Sequence, residues 1–167
     1  MERAASELGG LDLVVNAGAE GFEPRMFEDV DEERWDAALG ATAKGSFFVT
    51  QAAAPYLRRS ELGLVVMIED VAAYQPWPSF APHCAAKAAQ AMLTRVLARA
   101  LAPDVRVCGV APGPVAVEPD QEERRAAETL LGRVGSAGDV AAAVAFLVEA
   151  TYMTGTTLVV DGGRLLA

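Results

Sequence analysis

The stretch VVMIEDVAAYQPWPSFAPHCAAKAA, residues 65–89, passes from a compact apolar run through a Pro- and aromatic-rich loop into an alanine-rich segment. The run belongs to residues 63–68, GLVVMI, short and β-branched as a buried strand requires, with Glu69 and Asp70 closing it. The segment after the loop opens at Pro82, where a missing N–H breaks no intrahelical bond. Its Ala, Leu and Met content predicts a helix over residues 82–101.

The same alternation extends in both directions. Residues 11–15 (LDLVV), 105–110 (VRVCGV) and 157–160 (TLVV) are strand-like. Helical patterns cover residues 31–58, with an acidic first turn, then 120–131, then 137–149 behind the capping residue Ser136. Strands that alternate with helices predict a parallel sheet of about four strands joined by right-handed crossovers, an α/β fold in one domain over residues 1–167.

The chain has 167 residues, 52% of them hydrophobic and 22% charged, which is enough for one ordinary core. Its net charge of -9 and the lack of any basic run argue against nucleic acid as a partner. Cys84 and Cys108 are too few for a disulfide framework and stand in no CxxC pair, so both read as buried thiols. MERAASELGG has no signal-peptide core, and no segment reaches about 18 apolar residues, so a cytoplasmic protein with no membrane partner is expected.

Six motifs occur together and in order: NAG at residues 16–18, WDAALGATAKGSFFVTQAAAPYL at 35–57, HCAAK at 83–87, VRVCGVAPGPV at 105–115, GRVGSAGDVAAAVAFL at 132–147 and YMTGTTLVVDGG at 152–163. Together they resemble the short-chain dehydrogenase/reductase family. The resemblance implies a partial Rossmann-like, doubly wound sheet taken from the family order 3-2-1-4-5-6-7, with the strand of residues 11–15 at an edge. It also implies that the N-terminal unit with the Gly-rich turn for the dinucleotide is missing. Gly18, Glu20 and Gly21 do not restore the GxGxxG spacing. The isolated chain is therefore expected to bind neither NAD nor NADP unless a partner supplies the missing site, with Asn16, Ala17, Gly18, Lys87, Pro112 and Gly113 as vestiges of the cofactor site.

The family's catalytic positions map onto altered residues. A Ser thirteen positions before the Tyr of YxxxK falls on Asp70, the Tyr on His83, the Lys on Lys87 and the helix Asn on Thr42; Lys87 alone is retained. An ionised Asp70 opposes an oxyanion, and an imidazole is shorter than a phenol, so ordinary carbonyl reduction is disfavoured. His83, four residues before Lys87 on a helix and near Asp70 at a strand end, can alternatively form an acid/base pair. A metal is not expected, because two adjacent strand carboxylates point opposite ways and there is one histidine. Trp77, Pro78 and Phe80 are read as loop packing, and residues 118–125 as a solvated helix start.

The leading functional expectation is a non-catalytic, degenerate subunit that assembles with itself or with a full-length family partner through the helices of residues 31–58 and 82–101. The first alternative is a cofactor-independent isomerase, dehydratase or cyclase using His83, Asp70 and Lys87. The second is a residual oxidoreductase that borrows a partner's cofactor site.

Overall fold

The computed structural model describes residues 1–20 and 22–167; Gly21 lies outside the described residues. The chain opens with α1 (Glu2–Leu8), which ends at Gly9 in the left-handed region, and then enters β1 (Leu13–Asn16). The helix expected over residues 31–58 is real but interrupted. Asp31 caps α2 (Glu32–Leu39), a π turn spans Gly40–Lys44, and α3 (Gly45–Leu57) continues from it. Gly45, just past that turn, suits the close backbone approach there, since a Cβ on it would stand 3.2 Å from the Gly40 carbonyl oxygen.

β2 (Leu64–Ile68), α4 (Ala81–Leu101), β3 (Arg106–Pro112), α5 (Glu122–Ala126), α6 (Ala137–Glu149) and β4 (Thr157–Val160) complete the chain. The sheet runs β1-β2-β3-β4 with every pairing parallel, the order expected from the family resemblance. Alternate side chains of each strand serve different layers. Val14, Val65, Met67 and Val107 pack with Ala53, Leu57, Leu97 and Leu101 of α3 and α4. Leu64, Val66, Cys108 and Val110 pack with Leu147 of α6 on the other face. β2 is covered on both sides, so it reads as a continuous apolar run. β1 is covered on one side only: Leu13 and Val15, which alternate with Val14, are exposed at the open edge.

The helix expected over residues 120–131 is much shorter. After Ala126 the Thr129 hydroxyl, within reach of the Ala126 and Arg133 carbonyls for its one proton, also accepts the Arg133 N–H, drawing the chain into a turn instead of another helical step. α6 starts on a full capping box: Ser136 Oγ accepts the Asp139 N–H while the Asp139 carboxylate accepts the Ser136 N–H. Among the described residues no helix is long and apolar enough to cross a membrane.

Candidate active site

The site lies at the C-terminal ends of the strands. Asp70 follows β2 in extended conformation and caps a 3₁₀ turn over Val71–Ala73, with Oδ1 accepting the Ala72 N–H at 2.8 Å. Its other oxygen, Oδ2, lies 3.2 Å from His83 Nε2. An ionised carboxylate only accepts, so this contact places the imidazole proton on Nε2. His83 stands in the first turn of α4 and is buried, its ring parallel to Trp77 and edge-on to Phe22 at 5.0 Å. The aromatic neighbours hold the ring while Asp70 orients it.

One helical turn later, buried Lys87 donates from Nζ to the Ile68 carbonyl at 2.8 Å and to Gln90 Oε1 at 3.3 Å. Burial pushes its pKa down, and the nearby Asp70 and Glu69 carboxylates oppose that fall. Gln90 passes the connection to Ser46 Oγ at 2.9 Å, tying α4 to α3 beneath the site. Glu69 turns the other way, as two successive strand residues must. It is 2% exposed and accepts hydroxyls from Thr94 at 2.6 Å, Tyr74 at 2.9 Å and Thr157 at 3.2 Å.

Asp70, His83 and Lys87 thus converge on a cleft of about 580 Å³, whose wall also includes Pro112 and Gly113. Gly113 cannot carry a side chain there, because a Cβ would stand 2.8 Å from the Asp161 Cα. His83 also borders a second cavity of about 370 Å³ between the starts of α2 and α4, so its ring divides the two spaces. Four of the expected positions do not join this group. Thr42 is buried in the π turn and hydrogen-bonds to none of the three, and Asn16 faces the interior, donating to Thr50 Oγ1 at 3.1 Å and Met67 Sδ at 3.4 Å. Ala17 and Gly18 are exposed beyond β1.

Two further expectations need correction. Trp77 packs against Phe80 but also lines the cleft, so the loop aromatics are more than filler. Arg125, expected in a solvated helix start, is only 20% exposed and pairs with Glu128 against the cleft. Gln90 and Arg164 carry no signal in the sequence, since neither stands in a motif, and only the fold brings them to the site.

The comparisons with known proteins cover almost the whole chain. A family model described as enoyl-(acyl carrier protein) reductase matches residues 1–164. The 3beta-hydroxysteroid dehydrogenase 1 of Eggerthella lenta is 38% identical over 99% of this chain and 67% of its own. The chain belongs to the short-chain dehydrogenase/reductase family. The human dehydrogenase/reductase SDR family member 4 is 35% identical over 93% of this family member and 60% of its own length. The structure also resembles a 7 alpha-hydroxysteroid dehydrogenase complexed with NADH and 7-oxo glycochenodeoxycholic acid, with a TM-score of 0.88 and 28% identity, over 97% of this chain and 67% of the other. This family member therefore spans about 60% to 67% of the length of these curated relatives.

A nicotinamide dinucleotide fits the described residues only in part. The buried Lys87 ammonium and the Pro112–Gly113 wall offer a place for one end of such a molecule. Asn16 is turned inward, and the sequence contains no GxGxxG turn to cradle a pyrophosphate.

Proposed function

We propose that this family member moves protons instead of hydride, as a cofactor-independent isomerase, dehydratase or cyclase acting beside a carbonyl group. The observation that carries the reading is the Asp70–His83 contact at 3.2 Å on the wall of the cleft. In the proposed step the imidazole takes a proton from the carbon next to the carbonyl, and the bonding pair moves into the carbon–carbon–oxygen system. Asp70 stabilises the imidazolium. Lys87 has three N–H donors and spends two on Ile68 and Gln90, leaving one for the developing oxyanion. Return of the proton to a different carbon completes an isomerisation, and expulsion of a β-substituent completes an elimination.

The test is exchange of α-protons for deuterium in a panel of ketones and keto acids, followed by NMR. Exchange should fall at least about a hundredfold in His83→Ala with the circular dichroism unchanged, the usual scale for a positioned acid/base group. Reduction of a carbonyl by NADH or NADPH with the chain alone, undiminished in that variant, would sink the reading.

A second reading, the assembling subunit, draws support from exposed apolar residues on the two long helices: Phe48 and Val49 on α3, Met92 and Val96 on α4. It expects a dimer or larger, with itself or with a full-length relative that could complete a cofactor site. A monomer by light scattering at micromolar concentration counts against it. The two free thiols fit the cytoplasmic setting proposed for either reading.

A further inference from the structure

The cleft has a second pole, away from the acid/base pair. Glu128 is approached by three guanidinium groups: Arg125 at 3.1 Å, Arg124 at 3.3 Å and Arg164 at 3.5 Å. Arg124 stays in solvent, but Arg125 and Arg164 are 20% and 18% exposed and line the cleft with Glu128. Within the cleft Glu128 and the exposed rim residue Glu118 balance Arg125 and Arg164 in charge, so the pole attracts an anion through its N–H donors and not through a net positive charge.

The donors are also unspent. Each guanidinium carries five N–H groups, and among the described residues no buried side-chain nitrogen or oxygen lacks a partner. The N–H groups of Arg125 and Arg164 that Glu128 does not use therefore reach water. Between this pole and the acid/base pair the walls are apolar: Phe22, Trp77, Pro114, Val115 and Val117. We propose that the cleft takes an organic anion, a carboxylate or phosphate on an apolar body, whose charged end sits on Arg125 and Arg164 while its reactive carbon lies at His83. This names the substrate class of the site and rests on the acid/base reading above.

Arg164 follows β4 and Arg125 lies on α5, and of the residues expected to hold the cofactor Asn16 is at the far edge of the sheet while Lys87, Pro112 and Gly113 share this cleft, so competition with a dinucleotide is part of the test. A half-buried guanidinium recognises carboxylate and phosphate by the same forked geometry, so both chemistries are tested.

Calorimetry with benzoate, phenyl phosphate and the neutral benzamide, on the intact chain, decides the matter. Benzoate or phenyl phosphate should bind at least tenfold more tightly than benzamide, and the better of the two identifies the charged group. Arg125→Gln and Arg164→Gln should each erase most of that preference; comparison of the two single variants guards against a folding defect in either one. Benzoate binding to the wild-type chain involves no proton transfer, so absence of α-proton exchange in the wild type bears on the acid/base reading and not on the anion pole. Equal binding of benzoate and benzamide, no binding of any of the three, or unchanged preference in both arginine variants overturns the proposal. Displacement of benzoate by NAD or NADP, with the dinucleotide weakened equally by Arg125→Gln, overturns it as well.

Discussion

Replacing Glu69 measures how much a buried carboxylate contributes when only neutral hydroxyls satisfy it. In Glu69→Ala three donors lose their acceptor, but not equally. Tyr74 is 43% exposed, so water can replace the carboxylate at its hydroxyl, and Thr94 keeps a longer contact to the Gln90 carbonyl at 3.4 Å. Thr157 can turn to the Tyr74 hydroxyl, which also lies within its hydrogen-bonding reach. Taking about 1–3 kcal/mol for the donor left worst satisfied and about 0.8 kcal/mol for the lost methylene, the variant should lose roughly 2–4 kcal/mol. Glu69→Gln keeps the shape and one acceptor oxygen, requires one hydroxyl to turn round, and exchanges charge-assisted bonds for neutral ones, at a cost of about 1–3 kcal/mol. Urea unfolding followed by circular dichroism gives both numbers, provided the m-value is unchanged. A Glu69→Gln protein as stable as the wild type, or more stable, would refute the reasoning: the carboxylate's desolvation would then outweigh what three hydroxyls return.

Gly109 lies against the same carboxylate, where a Cβ would meet Glu69 Oε1 and stand 2.7 Å from Thr157 Oγ1; Gly109→Ala should therefore cost at least about 1–3 kcal/mol in thermal or urea unfolding. Ser136→Ala removes half of the α6 capping box and should cost about 1 kcal/mol by the same assay. Arg133 and Ser136 hold the Asp139 carboxyl well below its usual pKa, so the stability it confers is present above about pH 4 and lost as the pH falls towards the lowered value. Asp139→Asn should flatten that acid limb in urea titrations. Lys87 has the opposite consequence: with its pKa lowered by burial, the folded state resists protonation, and the penalty is relieved as pH rises through the lowered value towards 10.5. Lys87→Met should remove this alkaline gain, read as unfolding midpoints from pH 7 upwards.

The sheet was legible because each strand carries its signal within a few residues. β2 and β4 stand where the β-branched runs put them, while β1 and β3 are displaced by one or two positions because Asn16, Ala111 and Pro112 pair although their side chains give no strand pattern. The long helix before β2 was legible in extent but not in its π turn, since Ala-rich turns have the same pattern whether or not one carbonyl is skipped. The spacing of thirteen positions pairs Asp70 with His83 through the family resemblance, and the cap on the Val71–Ala73 turn is what makes that spacing a contact. Glu69's hydroxyl cage could not be read, because Thr94 and Thr157 come from α4 and β4, 25 and 88 residues away. The same holds for Arg164, whose role depends on the C-terminal turn folding back over α5.

The order β1-β2-β3-β4 has a kinetic consequence. Every strand pairs with the one synthesised just before it, so each pairing closes a loop of only some 40–50 residues and none waits for a distant segment. In the family order 3-2-1-4-5-6-7 this is the half that grows outward in a single direction, each new strand laid on a template already in place. During translation the sheet can therefore assemble vectorially behind the ribosome, with the newest strand always its temporary edge. Arg164 follows β4, so one side of the cleft is supplied only after the fourth strand of this sheet has been laid down.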